Sequence, residues 1–540
     1  MNDDLITLLT SAAVLPDLLP DDPPGWDGPV PGAIVALSRQ GRRSIAAFGC
    51  ADIENGVPIS ARTVFDGGSL AKQFAAAVTL LSRDRADLDL DEPVTGRLPE
   101  LGPAYQRVRI GDLLQHTSGI RDYKALLAIV GARRYDFYSQ ADVLSLLARQ
   151  RSLAFEPGTE YEYSNSNYLL LGAVLHRVTG RRLGELCRSW VCEPLGLSAT
   201  WLADDLSRPV PGRARSYSRT DTGFRVEYTP TEIVGDSGLS TTVTDLLTWG
   251  EHLLGADGGG DGGGGGGGEP RLPDLLRPGS LADGTPIRYG FGLCFEPVGS
   301  RSCVRHGGSV DGFQSEWLIV PDHGLVAVAL SNWAQAQPTR AVAGIVREAL
   351  DGRAPGAGHP SPSRLPDRPV TLAGDGDIWQ LRPAPPGHAL ITPLVQAYLT
   401  PAADGTLRGD HEGTPITLDA DRTADVWRLR MGERTTKLVR LPPPDEDPAR
   451  YANIFHSAEL MTSITVSVRD GELYWRRRGV TERLSRVAAD VFRAGATWLR
   501  FLVEDDRVCG LRLDAPRARD IRFTVVPPGS RTDDEGKSVS

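Results

Sequence analysis

Four strand-like segments follow one another so closely between residues 288 and 330 that they restrict how this chain can fold. Each is a short run of apolar or alternating residues, and turn-forming residues such as proline, aspartate and glycine stand between the last two. Parallel strands need a crossover connection of a dozen or more residues, and the connections here are shorter. The spacing therefore predicts an antiparallel sheet, with strands at Arg288–Phe295, Ser302–His306, Glu316–Val320 and Leu325–Leu330.

A hairpin pattern near the amino terminus belongs to the same prediction. The strand-like runs 32–38 and 44–49 flank the polar pair Gln40-Gly41. If this hairpin joins the later strands, the first and last segments of one domain lie side by side in a sheet of about five strands. Helices, including one predicted at 340–350, are expected to cover that sheet, which gives an α/β (α+β) fold class.

The length of 540 residues is too great for a single hydrophobic core. We place the first domain at 1–352, before a linker rich in proline, glycine and serine. Alternating runs separated by Asp-Gly pairs dominate the remainder, and the proline-rich stretch 441–445 divides them. These patterns predict two small all-β antiparallel barrels, at 369–445 and 446–530.

Composition excludes several classes of partner. The net charge of −10 disfavours a nucleic acid or an anionic membrane. There is no apolar run long enough to span a bilayer and no basic start of a signal peptide, so we expect a cytoplasmic protein. The six cysteines lack metal-ligand spacing and are expected to be free, buried thiols, with a disulfide between Cys294 and Cys303 across a hairpin as the alternative. No metal or other cofactor is expected. The glycine tract 257–269 cannot pack and is expected to be a flexible surface insertion.

The first candidate catalytic pair is Ser69-x-x-Lys72, at the head of an alanine-rich run. Residues three apart share one face of a helix, so the hydroxyl and the amine are expected to meet. Burial favours the neutral form of a lysine, and a neutral amine beside a serine is a base beside a nucleophile. Most Ser-x-x-Lys patterns are incidental. This chain, however, has only four lysines, and the arginines that carry the rest of its positive charge cannot act as bases. A lysine at this position therefore favours a catalytic role.

Two further motifs supply what such a pair needs. Tyr163-x-Asn165 offers a phenol to relay protons and an amide to hold a substrate. His306-Gly307-Gly308-Ser309 ends a predicted strand, where the glycines let a substrate backbone come close. Alone, each motif is weak, because the carboxy-terminal region contains the same patterns in Tyr451-Ala452-Asn453 and His411-Glu412-Gly413. The order and context of the set favour a functional interpretation.

Together, these three motifs resemble those of the serine beta-lactamase and penicillin-binding-protein superfamily. Histidine in the third motif resembles its esterase and D-aminopeptidase branches, and the two predicted barrels are similar to those that follow the catalytic domain of D-aminopeptidases. The resemblance implies a serine hydrolase that acts through an acyl-enzyme. It also implies a role for each motif residue. Ser69 is the nucleophile, Lys72 and Tyr163 move its proton, Asn165 and His306 orient the substrate, Gly308 and Ser309 contact it, and the Ser69 and Ser309 N–H groups form the oxyanion hole.

Several functions remain open from the sequence. The expected substrate is a small peptide or amide with a D-amino acid residue, cleaved by a D-aminopeptidase-like enzyme. An esterase, a beta-lactamase or a D-Ala-carboxypeptidase-like hydrolase is the alternative enzyme. A penicillin-recognising sensor or assembly protein is the non-enzyme alternative. No nucleic acid or membrane is expected as a partner, and the pattern leaves a homodimer open.

Overall fold

A computed structural model describes most of the chain as two compact units, one of segments 1–120 and 134–355 and the other of 121–133 and 356–540. The predicted domain limits near 352, 369, 445 and 530 lie outside the described residues, so the division at those limits stays a prediction, and the glycine tract 257–269 lies outside them too. The described residues are 9, 14–23, 25–133, 135–205, 207–228, 230–256, 272–351, 370–374, 377–384, 387–392, 396–402, 404, 406–411, 414–421, 426–431, 434–440 and 447–527.

The first unit contains an eight-stranded antiparallel sheet, larger than the predicted five strands. The amino-terminal hairpin does join the later strands, because Ala33–Arg39 pairs with Leu325–Ser331 on one side and with Arg42–Phe48 on the other. In order across the sheet the strands are Pro278–Ser280, Pro286–Gly290, Cys294–Phe295, Val304–Val310, Phe313–Val320, Leu325–Ser331, Ala33–Arg39 and Arg42–Phe48.

One predicted strand, Arg288–Phe295, is wrong as a single element. It forms two strands, Pro286–Gly290 and Cys294–Phe295, because Gly292 turns the chain between them at φ +78°. A methyl group on Gly292 would lie 2.6 Å from the carbonyl oxygen of Lys72. The turn therefore packs directly against the backbone of the helix that carries Lys72, and only glycine fits there.

Helices cover the sheet of the first unit. Ala341, Val342 and Ile345 recur at helical spacing and pack against alternate strand residues, Val35 and Leu37 among them. The α-helices of this unit are Leu15–Leu18, Ala71–Arg85, Val94–Arg97, Ile110–Leu114, Gln140–Ala148, Asn165–Thr179, Leu183–Cys187, Val243–Ala256 and Pro338–Asp351, with a π-helical turn at Arg188–Cys192 and 3₁₀ turns at Gly68–Leu70, Pro103–Tyr105, Pro273–Leu276 and Pro321–His323. Three small sheets complete it: Cys50–Asp52 with Val57–Pro58, Phe65–Asp66 with Leu239–Thr241 and Trp201–Leu202, and Ser216–Arg219 with Phe224–Glu227.

The carboxy-terminal segment of the second unit begins with a closed antiparallel barrel of eight strands. The first and last strands pair through Leu372 and Arg440, so the barrel has no free edge. Trp379 and Leu381, two positions apart, both point into an apolar core. The strands are Val370–Gly374, Asp377–Ala384, Gly387–Ile391, Gln396–Pro401, Leu407–His411, Thr414–Asp421, Val426–Met431 and Arg434–Arg440.

A nine-stranded antiparallel sheet follows, and it curls almost into a second barrel. Its two edge strands, Val480–Arg483 and Ser485–Ala488, are separated in sequence only by the buried Leu484, which brings the edges together. The prediction of two small all-β antiparallel domains is therefore confirmed. The other strands are Asn453–Ser457, Thr462–Arg469, Glu472–Arg477, Val491–Ala494, Thr497–Glu504, Arg507–Ala515 and Ala518–Val525, preceded by a 3₁₀ turn at Pro448–Tyr451.

Segment 121–133 belongs to the second unit although its sequence neighbours belong to the first. The Asp122 N–H donates to the Arg517 carbonyl at 2.8 Å, and Arg121 Nε donates to the Arg519 carbonyl at 2.6 Å. The Asp122 side chain caps the helix Tyr123–Ile129 by accepting from two backbone N–H groups. No break in composition marks this excursion in the sequence.

Two smaller expectations concern cysteines and membranes. All six cysteines are free thiols, as expected, although Cys509 is exposed. Within the described ranges, no helix is both long and apolar enough to cross a bilayer.

Candidate active site

A tight turn presents Ser69 at the start of the buried helix Ala71–Arg85. Gly68 has φ +54°, and its N–H donates to the Asp66 carboxylate at 2.8 Å, which stabilises the turn. Ser69 is the middle residue of the 3₁₀ turn Gly68–Leu70 and is partly exposed, whereas helix residues 71–82 are buried. The turn therefore points one hydroxyl to solvent from an otherwise buried helix.

Lys72 is fully buried one turn after Ser69, as the spacing predicts. Its Nζ atom lies 3.1 Å from Ser69 Oγ, and it donates to Asn165 Oδ1 at 2.9 Å and to the Asp236 backbone carbonyl at 2.6 Å. A neutral amine has two N–H donors for those two oxygens and a lone pair for the Ser69 hydroxyl, which is the arrangement that a base requires. Sequence reasoning missed Asp236 because it contributes a carbonyl, which every residue type carries.

Tyr163 completes the contacts of the nucleophile. Its hydroxyl lies 3.0 Å from Ser69 Oγ, and Lys72 Nζ lies 4.8 Å from the centroid of its ring. Tyr163 is partly exposed, as Ser69 is. The Ser69 oxygen therefore has two neighbours that can exchange a proton with it, and it remains open on a third side.

Asn165 is the first residue of helix Asn165–Thr179, which places it beside the amine. Ser164 before it is extended, so the chain turns from strand-like to helical geometry between the two motif residues. Because Asn165 Oδ1 accepts from Lys72, its amide is oriented by the amine. The structure thus joins the first two sequence motifs directly.

The third motif lies on the strand Val304–Val310, which runs against the turn before Ser69. A methyl group on Gly308 would lie 2.1 Å from the Gly67 carbonyl oxygen, and one on Gly68 would lie 3.0 Å from the Ser309 nitrogen. Both glycines are thus required by close backbone approach. This contact brings the Ser309 N–H to the same turn as the Ser69 N–H.

His306 is buried beside Tyr163, with their ring centroids 6.2 Å apart. Its Nδ1 lies 2.6 Å from the Gly307 carbonyl, which can only accept, so Nδ1 carries the proton. Nε2 then accepts from the Tyr289 hydroxyl at 3.1 Å. Burial, with the nearby charge of Lys72 as a second cause, lowers the pKa of His306 to about 3, so the ring is neutral near neutral pH.

The first unit has a cavity of about 320 Å³, and none of Ser69, Lys72, Tyr163, Asn165 and His306 lines it. Its wall includes Asp66, Ser237 and Val310, which are near neighbours in sequence of Ser69, of the Asp236 carbonyl and of Ser309. Its size suits a small ligand. Among the residues that the structure describes, no cluster of three histidine, cysteine or acidic side chains could hold a metal ion.

Comparisons with known proteins identify a matching family and a relative of similar length. The family described as Beta-lactamase matches residues 22–351. A D-aminopeptidase of Gluconobacter oxydans (strain 621H) is 28% identical over 529 residues, covering 92% of this chain and 96% of that protein.

Solved structures show the same fold. An octameric penicillin-binding protein homologue from Pyrococcus abyssi has a TM-score of 0.54 at 18% identity and covers 76% of this chain and 96% of its own. The D-amino acid amidase of Ochrobactrum anthropi SV3, complexed with L-phenylalanine, has a TM-score of 0.51 at 20% identity and covers 65% and 98%. At these identities the likeness is one of fold.

Proposed function

The chain belongs to the Beta-lactamase family, and on that premise we propose that it is a serine hydrolase that forms an acyl-enzyme on short peptides or amides containing a D-amino acid residue. One observation supports this most strongly: Ser69 Oγ lies 3.1 Å from Lys72 Nζ and 3.0 Å from the Tyr163 hydroxyl. A serine between an amine and a phenol is an activated nucleophile.

In the first step, Ser69 Oγ attacks the carbonyl carbon of the substrate, and its proton passes to Lys72 with Tyr163. The carbonyl oxygen becomes an oxyanion, which the backbone N–H groups of Ser69 and Ser309 stabilise. The close approach of Gly68 to the Ser309 nitrogen supports this pairing of donors.

In the second step, the carbon–nitrogen bond breaks, and Tyr163 gives a proton to the leaving amine. Water then attacks the ester carbon and gives a proton to Lys72 with Tyr163; the bond from that carbon to Ser69 Oγ breaks, the proton returns to Oγ, and the carboxylic acid leaves. Asn165 keeps Lys72 in place and orients the substrate amide.

For His306 we propose a positioning role. Both ring nitrogens have protein partners, so we assign it the role of a neutral wall beside Tyr163 that fixes the strand of Gly308 and Ser309.

The substrate class rests on the relatives. The D-aminopeptidase of Gluconobacter oxydans covers nearly the whole chain, including the barrels, which favours a free D-amino terminus over a beta-lactam or a simple ester. A cytoplasmic location and a homodimer remain part of the proposal.

The test compares turnover of D-alanine p-nitroanilide, L-alanine p-nitroanilide and p-nitrophenyl acetate. We expect the D-anilide to be cleaved at least ~10-fold faster than the L-anilide, and Ser69→Ala to lose ~10³-fold or more of kcat. Ser485→Ala, at an exposed position of the last sheet, is the matched control and should keep full activity.

Labelling by a fluorescent phosphonate tests the nucleophile separately. Wild type should be labelled and Ser69→Ala should not. Turnover of the ester alone would replace the peptidase assignment with an esterase, and equal labelling of both proteins would remove Ser69 as the nucleophile. A wild type that binds penicillin without turnover of any substrate would point to a sensor.

A further inference from the structure

His116 is a buried histidine that the chemistry above does not use. It is completely buried and holds φ +59°, a left-handed conformation that costs energy for a residue with a side chain. Strain of this kind persists only where the surroundings fix it, and it concentrates at functional sites. The contacts of His116 show which segment of the chain it stabilises.

Its side chain and main chain both bind the segment that carries Tyr163 and Asn165. The His116 carbonyl accepts from the Glu162 N–H at 3.0 Å, and Nδ1 accepts from the Ser164 N–H at 3.3 Å. These two bonds fix the backbone on either side of Tyr163. In addition, the imidazole ring packs against the Tyr163 ring with centroids 4.4 Å apart.

A second network determines which nitrogen of His116 accepts. Ser118 Oγ accepts from the Ile120 N–H at 3.1 Å, which leaves its own proton for Asn167 Oδ1 at 2.6 Å. With Oδ1 so engaged, the NH₂ group of Asn167 is the one that faces His116 Nδ1, at 2.9 Å. Nδ1 is therefore the acceptor for both Asn167 and Ser164, and in the neutral ring the proton lies on Nε2.

We infer that His116 is a positioning residue for the proposed acyl transfer: as an acceptor at Nδ1, it sets the distance between the Tyr163 hydroxyl and Ser69 Oγ. The inference rests on the proposed function. The Ser164 N–H belongs to the peptide group that joins Tyr163 to Ser164, the residue before Asn165, so one hydrogen bond helps to position both the proton relay and the amide that holds Lys72. Small errors in such placement are costly, because a displacement of 1 Å can lower a rate ~10²-fold.

Two variants separate the acceptor from everything else that His116 provides. His116→Gly and His116→Asn both tolerate φ +59°, and both remove the imidazole ring. Only asparagine restores an acceptor, since its Oδ1 is two bonds from Cβ, as Nδ1 is. We expect His116→Gly to lower both kcat and the rate of phosphonate labelling ~50-fold with KM within ~3-fold, and His116→Asn to recover at least ~10-fold of that loss.

The control is His176→Asn, an exposed histidine on helix Asn165–Thr179, which should leave both rates unchanged. If His116→Gly fails to fold, Asn167→Leu removes one donor to Nδ1 and leaves the strained residue in place, with an expected loss of ~5-fold. Equal losses in the glycine and asparagine variants would overturn the inference, as would an Asn167→Leu protein with wild-type rates.

The two proposals fail in different ways. A wild type that is labelled but does not cleave D-alanine p-nitroanilide would contradict the proposed substrate, while the ratio of labelling rates still tests His116. A crystal structure of His116→Gly gives the answer without any activity. The inference requires the separation of the Tyr163 hydroxyl from Ser69 Oγ to grow by about 1 Å, and an unchanged separation would overturn it.

Discussion

The tripeptide pattern Tyr-x-Asn occurs once in each unit, and its two copies lie in different surroundings. In the first unit, the Tyr163 hydroxyl meets Ser69 Oγ, and Asn165 starts a 15-residue helix beside Lys72. In the second unit, Tyr451 is completely buried, and Asn453 starts a strand.

Their surroundings explain the difference. The Tyr451 hydroxyl donates to Asp490 Oδ1 at 2.8 Å, and its ring packs against Phe492 and Phe501. A carboxylate acceptor and an apolar cage make that tyrosine part of a core. Tyr163 is partly exposed and faces a serine and an amine. The pattern acquires a chemical role only where the fold supplies a nucleophile and a base.

The strongest test of this comparison exchanges lysine for arginine in both units. Lys72→Arg keeps a positive charge but cannot act as a base, so kcat should fall ~10³-fold or more. Lys437 is exposed in the first barrel, and Lys437→Arg should leave kcat unchanged. Steady-state kinetics on D-alanine p-nitroanilide measure both, and a Lys72→Arg enzyme with more than a tenth of wild-type kcat would show that the amine is not the base.

Removing the hydroxyl of Tyr163 should lower activity, whereas removing that of Tyr451 should lower stability. Tyr163→Phe should lower kcat ~10²-fold, the usual contribution of a general acid–base group, with little change in Tm. Tyr451→Phe should keep kcat and lower the free energy of unfolding by about 1–2 kcal/mol, because it removes a hydrogen bond to a charged acceptor, the Asp490 carboxylate.

Kinetics and denaturant unfolding on both phenylalanine variants give the comparison. If Tyr451→Phe reduced kcat as much as Tyr163→Phe, the two copies of the pattern could no longer be separated by role.

The last effect concerns the pH dependence of stability. The pKa of His306 falls from 6.5 in the unfolded chain to about 3 in the folded one, mainly through burial. Below pH 6.5 the unfolded chain therefore binds a proton that the folded chain does not, and stability falls as the pH falls from about 6.5 towards 3. The limit of this effect is about 1.4 kcal/mol per pH unit.

His306→Gln cannot titrate and should flatten the dependence of unfolding free energy on pH in that window, whatever its stability at pH 7. His456→Gln, in the last sheet of the second unit, serves as the matched variant. Equal slopes for His306→Gln and wild type would contradict the buried, neutral state of His306.

The sequence was informative where chemistry depends on side-chain identity and short spacing. Ser69 and Lys72 meet because three residues make one helical turn, and the antiparallel sheet follows from short connections between strands. Backbone contributions could not be predicted in this way. The Asp236 carbonyl that accepts from Lys72 has no residue signature, and the split of Arg288–Phe295 at Gly292 depends on the helix packed against it.

His116 shows an intermediate case. Its complete burial is typical of a structural histidine. Its relation to Tyr163 depends on a contact between residues 48 positions apart, at the Ser164 N–H, which no local pattern records.

Because segment 121–133 belongs to the second unit, it affects the order in which the parts of this protein can fold during synthesis. Arg121 and the Arg519 carbonyl that it binds are 398 residues apart in sequence. At ribosomal rates of about 5–20 residues per second, roughly 20 to 80 seconds pass between the synthesis of the two. During that time Arg121 and Asp122 lack Arg517 and Arg519, whose carbonyl groups accept their hydrogen bonds in the finished protein. Folding of the nascent chain therefore cannot finish from the amino terminus forward, because its last strands must be synthesised before an early helix is packed.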